Sequence, residues 1–597
     1  MQLSRLLFFL ALALSPVALI STTWLYLYPL FHGCNFAAPS YTNATTARDA
    51  TAPFRLLALG DPQLEGDSSL PKPGVRAFPS LRFTRFDLQH TDSWYGWFWI
   101  LRRDLKKAVA RDLPRWLEGY RKRIDLWGND WYLAHIVRQL SWWTQPSHVA
   151  VLGDLLGSQW IGDEEFERRA DRYWGTVFKG FEKVPEEVMQ HSEEQGGRKW
   201  GQTTEVLGQD EGWVKRVINI AGNHDIGYAG DLDEGRIGRF EKAFGRVNWD
   251  ITFKLPNRTQ DSEGAQQNEG VNREGQDPVL RLVVLNSMNL DTPAYSEGLQ
   301  RETYDFMNHI ITTSLPVTDK THATILLTHI PMHKEPGICV DDPYFNFFDT
   351  GSGVQEQNML SPHSSKMILE GIFGLSGNPH AAGQGFGRRG IVINGHDHEG
   401  CDVLHYISKK QFECHPVSFS EDTPREILDA YGNKTSSESE HPEWRALRIP
   451  SQLVEQGDCI PRRGIPRLEE PSIREVTLRS MMGDFSGYAG FVSAWFDESI
   501  GEHGEWQLEF NTCGVGVQHW WWAVHVVDLI LLVAITCGAL ANAVEHLLGT
   551  KQKAKEEKGG QEKADVKGGK KTQVEVKKGE GGTKRIKNGD VQKRRVG

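Results

Sequence analysis

Two short stretches, Gly222-Asn223-His224-Asp225 and Gly395-His396-Asp397-His398, concentrate imidazoles, an amide and carboxylates behind a glycine. Three further segments add donors of the same kind: Asp61-Pro62-Gln63, Gly153-Asp154 and Thr328-His329. Imidazoles and hard oxygen donors suit paired divalent cations, and a carboxylate can bridge two of them. Such a pair clamps a phosphate ester and brings the pKa of water near neutrality. Each segment alone has an ordinary reading, since Gly-Asp is a common turn and a single Thr-His is more often structural. The ordered set carries the expectation of a two-metal hydrolytic centre.

Something must bring these segments together, and the residues before them show what. FRLLAL (54–59), HVAVL (148–152), VINIA (217–221), TILL (324–327) and GIVI (390–393) each run straight into a ligand-type segment, and LRLVVLN (280–286) ends in the same manner. Short continuous apolar runs bounded by turns read as core strands. In layered α/β folds, sites form where loops from several strand ends converge. IREVTL, GFVSAWFD and EWQLEF, between residues 471 and 513, add strands expected to complete a second sheet.

With those segments in order, the chain resembles the calcineurin-like metallophosphoesterase superfamily, whose motifs run D-x-H, G-D, G-N-H-D/E, H and G-H-x-H. The match covers residues 54–405. It implies an α/β fold of two stacked mixed β-sheets flanked by helices. It also implies that Asp61, Gln63, Asp154 and His398 hold one metal, and that Asp154 bridges to a second held by Asn223, His329 and His396. His224 would stand beside the leaving-group oxygen, with Asp225 orienting its ring. Two positions depart from the pattern. Gln63 replaces the usual histidine, and an amide oxygen suits manganese or magnesium better than zinc. Gly157 stands where a carboxylate is usual, and Asp163, Glu164 and Glu165 are not assumed to replace it.

The chain has 597 residues and a formal net charge of −11. Residues 551–597 hold sixteen Lys/Arg against seven Asp/Glu, which leaves −20 on residues 1–550. An acidic body disfavours nucleic acid as partner, because that binding rests on neutralised phosphates. Residues 6–31 are apolar over more than the length of a signal-peptide core and are expected to be an uncleaved transmembrane anchor after a short cytosolic N-terminus, residues 1–5. Residues 521–544 form a second expected transmembrane helix, flanked by Trp520-Trp521-Trp522 and by the Lys-rich tail. The positive-inside rule puts that tail, 551–597, in the cytosol as a solvated, disordered segment, and residues 52–513 on the lumenal side. Sequons at Asn43, Asn257 and Asn433 fit that placement. So do the six cysteines outside the second span, of which Cys401 and Cys414 are the nearest pair and the first expected bridge. An insertion at 84–145 holds eight of the twenty tryptophans among Arg and Lys. It reads either as a helical packing layer or as a surface resting on the bilayer interface. Residues 186–212, 258–277 and 418–445 are polar and read as mobile loops.

Gly153–Trp160 with Asp163–Arg169, Ile220–Tyr228 and Arg479–Phe485 resemble one membrane-bound branch more closely: the fungal cell-division-control relatives of the post-attachment GPI-processing phosphodiesterases. That resemblance implies removal of ethanolamine phosphate from GPI mannose in the endoplasmic reticulum or early Golgi, with manganese. GPI-anchored proteins or the GPI glycolipid would be the substrate. The leaving fragment keeps its ammonium group, for which Trp160, Asp341, Asp342 and Tyr344 are candidate contacts, with a plain surface loop as the alternative. Two other readings stay open: a lumenal metallophosphatase with another phosphate-ester substrate, and a non-catalytic receptor for GPI cargo.

Overall fold

Strands with apolar side chains on both faces need cover on both. β1 (Phe54–Leu59) shows this: Phe54, Leu56 and Ala58 point into one core, while Leu57 and Leu59 point into another. β2 (His148–Val151) divides in the same way, with Ala150 on the first side and Val149 and Val151 on the second. The computed structural model describes residues 2–39, 51–66, 76–190, 200, 203–255, 277–349, 351–407, 444–449, 472–482 and 486–568.

One sheet has six strands. They are β1, β2, β3 (Glu182–Lys183), β5 (Arg216–Asn219), β15 (Gly487–Asp497) and β16 (Glu505–Gly516), in the order β16-β15-β1-β2-β5-β3. β1, β2, β5 and β3 are mutually parallel, and β15 and β16 return antiparallel. The other sheet has eight strands. They are β4 (Thr203–Val206), β6 (Trp249–Lys254), β7 (Val279–Val284), β8 (His322–Leu327), β11 (Arg389–Asn394), β12 (Cys401–Ile407), β13 (Trp444–Arg448) and β14 (Ser472–Thr477). Their order is β13-β12-β14-β11-β8-β7-β6-β4, with β7, β8, β11 and β14 parallel. The inner faces meet in one core containing Trp249, Trp506 and Phe253, and the Trp506 indole donates to the Thr321 carbonyl at 2.8 Å. Helices cover the outer faces. A two-stranded ribbon, β9 (Phe345–Phe347) and β10 (Val354–Gln357), stands apart from both sheets. The fold is the expected pair of mixed sheets flanked by helices.

Four helices matter below: α1 (Leu3–Tyr26), α2 (Trp94–Lys107), α3 (Leu113–Thr144) and α4 (Gln518–Gly568). Both α1 and residues Gln518–Lys551 of α4 are long and apolar enough to cross a membrane. The chain divides into two units, Met1–Leu19 with Val526–Gly597, and Ile20–His525. Within the first unit the Ser4 hydroxyl donates to Glu545 at 2.6 Å, which ties the two helices to each other.

Several expectations need correcting. Cys401 pairs with Cys339, not Cys414, and Cys34 pairs with Cys513 across 479 residues. Nearness in sequence misled there, because Cys401 opens a strand beside the loop that carries Cys339. Residues 551–568 of the basic tail are helical, where interspersed Lys, Glu, Gln and Ala favour extension of α4. Part of the 186–212 loop is strand β4, paired with β6, and the last two residues of the 418–445 loop begin β13, which runs from Trp444 to Arg448. The strands between 471 and 513 complete both sheets rather than one: β14 joins the eight-stranded sheet, β15 and β16 the six-stranded one. Asn43, Asn257, Asn433 and Cys414 lie outside the described residues.

Candidate metal centre

The ligand-type residues sit where parallel strands end. Asp61 and Gln63 follow β1, Asp154 follows β2, and Asn223-His224-Asp225 follow β5. From the second sheet, His329 follows β8, while His396 and His398 follow β11. The backbone is left-handed at Asp61 (φ 39°), Gln63 (41°), Asp154 (48°) and His396 (72°). Such conformations cost about 1–3 kcal/mol each in non-glycine residues and persist where the surroundings enforce them. Gly395 is required for a different reason: a Cβ there would come within 2.4 Å of Asp61 Oδ1.

Asp154 lies between two groups of donors. On one side its Oδ2 accepts from Gln63 Nε2 at 3.2 Å, and Gln63 Nε2 is 3.1 Å from His398 Nε2, which stands 3.6 Å from Asp61 Oδ2. On the other, Asp154 Oδ1 is 3.3 Å from His329 Nε2, and Asn223 Oδ1 is 3.0 Å from that nitrogen and 2.9 Å from His396 Nδ1. Asp154, His329 and His396 present ligand atoms all within 4.8 Å of one another. The far ring nitrogens are anchored: His329 Nδ1 donates to Leu152 O at 2.7 Å and His396 Nε2 to Gln357 O at 2.8 Å. Each imidazole therefore turns its other nitrogen inward, the arrangement that fixes a metal-binding tautomer.

The charges in this cluster fit a cation. Among the described residues Asp61 Oδ1 is buried without a hydrogen-bond partner, an arrangement costly for a carboxylate unless a cation offsets it. Burial holds the Asp61 carboxyl well above its usual range, with His329 opposing and Asp154 reinforcing the shift. Burial would lower His329, but the Asp154 carboxylate outweighs it and raises the imidazole to about 9. His396 is driven down to about 3 by burial and by His329. For Asp154, burial pushes upward, but His329 and His224 hold it below the carboxylate range. A divalent ion must displace the His329 proton. Its affinity should therefore rise with pH, about tenfold per unit for each proton released, and level off near pH 9. Calorimetric titration with manganese in buffers of different ionisation enthalpy checks both slope and proton count.

His224 stands at the mouth, its Nε2 3.7 Å from Asp154 Oδ2 and its backbone N–H donating to Asp154 Oδ1 at 2.8 Å. Asp225 does not orient the ring. Its carboxylate accepts the backbone N–H groups of Leu155, Leu156 and Gly222 at 2.9–3.1 Å, pinning the loop after β2 to the turn after β5. Burial and neighbouring Asp154 raise it to about 7. His224 Nδ1 is buried without a partner among the described residues.

A cavity of ≈ 170 Å³ opens over the cluster, and Asp341 lines it. Trp160, Asp342 and Tyr344 do not. The Trp160 ring instead carries the Arg236 guanidinium at 5.2 Å, and Asp342 Oδ1 accepts from Gly337 N. Tyr228, Glu356, Asn358 and Asp397 line the cavity without having been singled out. Tyr228 and Asp397 lie inside quoted motifs, whereas Glu356 and Asn358 arrive on and just after β10, which carries no chemical signature.

Behind the centre, a buried network fixes two ligand loops. Glu475 Oε1 accepts from Met332 N and Asn394 Nδ2, both at 2.7 Å, three residues after His329 and two before His396. Its Oε2 pairs with Lys334 at 2.8 Å and accepts from His405 at 2.6 Å. Burial would raise the Glu475 carboxyl, but Lys334 and His405 hold it at about 2. A depressed carboxylate stabilises the fold above its unfolded pKa, and that contribution disappears as pH falls from about 4.5 toward 2. Lys334→Met leaves the charge unpaired in the interior and should cost about 3–5 kcal/mol, read as a lower denaturant midpoint at neutral pH.

No family model matches the chain. It is 30% identical over 291 residues to an uncharacterized protein of Schizosaccharomyces pombe, a match spanning 48% of this chain and 58% of that protein. Over a longer stretch, 453 residues covering 69% of this chain and 77% of the other, it is 28% identical to Protein TED1 of Saccharomyces cerevisiae.

Proposed function

We propose that the chain is a two-metal phosphodiesterase that removes ethanolamine phosphate from GPI mannose. In this reading α1 and α4 cross the endoplasmic reticulum membrane, the sheets face the lumen and the basic tail lies in the cytosol. The observation that carries it is Asp154, whose two oxygens face separate donor groups, Gln63 at 3.2 Å and His329 at 3.3 Å. Asp61, Gln63, Asp154 and His398 hold one cation; Asp154, Asn223, His329 and His396 hold the other. The mix of oxygen donors and imidazoles favours manganese. When bound, the pair supplies Lewis-acid charge for a phosphoryl group and lowers the pKa of water. His224 Nε2 donates a proton to the departing mannose oxygen, relieving charge on the leaving group. Asp341 and Glu356, with the Tyr228 ring, line the cavity and suit the ammonium end of the departing fragment. The two disulfides support the lumenal placement, since such bonds persist in oxidising compartments.

The test is manganese-dependent release of ethanolamine phosphate from a GPI glycan by the purified full-length protein. Cleavage of generic phosphodiesters but not of the glycan would move the substrate elsewhere. Bound metal with no cleavage of any ester would favour a receptor. Gln63→His should shift preference toward zinc, visible as a higher zinc-to-manganese ratio by mass spectrometry after equilibration with both ions.

A further inference from the structure

Residues 79–125 form an arm with its polarity reversed. A short turn and helix, Pro79–Leu81 and Thr84–Gln89, fold back on α2 and on the wider helical turn, Ala108–Asp112, that joins it to α3. The side chains buried there include two aspartates. Asp104 is 4% exposed and accepts from Thr84 and Arg103, and Asp112 is 3% exposed and accepts from Ser80 N. The large apolar side chains point outward instead. Trp94 is 80% exposed, and Trp97, Phe98, Leu101 and Leu105 are each half exposed or more. Carboxylates inside and tryptophans outside is the wrong arrangement for water and the right one for lipid. The same stretch, 76–127, carries twelve Arg/Lys against six Asp/Glu on an otherwise acidic body. Some of these cations stack on the exposed rings, as Arg102 does on Trp99 at 5.1 Å and Arg123 on Tyr120 at 5.4 Å. Long basic side chains can reach headgroup phosphates from such positions.

The attachment of α3 ties the arm to the chain segments that lead into the two long apolar helices. Near its C-terminus, Trp143 Nε1 donates to Tyr26 O at 3.0 Å, at the end of α1. Sixteen residues earlier, Trp127 lies 6.4 Å from Trp522, and the Trp522 indole fills the space where Gly128 lacks a Cβ, at the start of α4. Both contacts are made with residues where an apolar helix ends. In sequence, each contact therefore lies within a few residues of a helix long and apolar enough to cross a membrane.

We propose that the arm is an in-plane membrane element seated at the headgroup–acyl boundary, with the phospholipid bilayer as its occupant. The proposal rests on the reading of α1 and α4 as membrane spans. The test places the full-length protein in phosphatidylcholine vesicles containing a phosphatidylcholine with a photoactivatable acyl chain, and maps adducts by mass spectrometry. Adducts are expected on Trp94, Trp97, Leu101 and Leu105 at levels comparable with α1 and α4, and not on Tyr295, which is 71% exposed on the catalytic body. Trp97→Asp with Leu101→Asp, both at exposed positions, should cut arm labelling at least about tenfold and leave span labelling unchanged. Adducts on the spans but not on the arm would overturn the proposal and assign the face to water, a second copy or another protein. Adducts on neither would remove the membrane reading and the arm with it.

Discussion

Asp154→Asn should lower phosphodiester cleavage by roughly 10³-fold or more, since bridged ions contribute several kcal/mol of transition-state stabilisation. The asparagine keeps the oxygen that accepts the His224 backbone N–H at 2.8 Å, so the turn after β5 should survive. It lacks the second anionic oxygen that would serve the Gln63 side. Metal content, measured by plasma mass spectrometry on the equilibrated protein, should fall from two ions per chain to one or fewer. Unchanged stoichiometry and turnover would show that Asp154 bridges nothing.

His224→Ala addresses a different step and should leave metal content intact. Loss of a general acid costs about 10²–10⁴-fold in kcat. The loss should depend on the leaving group: large for an alkyl or sugar oxygen, small for a nitrophenolate that departs without a proton. An equal loss for both substrates would place His224 in phosphate binding rather than proton donation. The two variants together separate a defect in holding ions from a defect in using them.

Much of this candidate centre was legible because each candidate ligand lies within a few residues of a strand end, and an apolar run followed by Gly-Asp or Gly-His marks that end. What stayed hidden came from outside such runs. Gln357 orients His396 through its backbone carbonyl, an atom every residue has. Glu356 and Asn358 reach the cavity by way of the β9–β10 ribbon, which carries no motif. The resemblance implies that Asp225 orients His224, but its carboxylate is used up by three backbone donors. Cys401 was matched to its nearest neighbour in sequence, whereas pairing depends on which strand and loop the fold brings alongside. In the insertion, tryptophan-rich composition was compatible with packing or with a membrane surface. The inward turn of Asp104 and Asp112, with Trp94 and Trp97 turned outward, is what favours the membrane surface, and composition carries no sign of which way a side chain faces.

The place of β1 in its sheet sets a clock on biosynthesis. Its neighbours are β2 and β15, with Phe54 facing Ala494 and Leu59 facing Ala489, and Ser480 holds the Asp61 carbonyl at 2.9 Å. At typical translation rates, on the order of tens of seconds separate the synthesis of Asp61 from that of the strand that secures it. All seven candidate ligands have been made by residue 398, yet a nascent chain that stops before residue 487 lacks the strand that positions the first of them. The candidate metal centre is thus completed near the end of synthesis, and a chain that lacks β15 carries the candidate ligands without the strand that holds β1 and Asp61 in place.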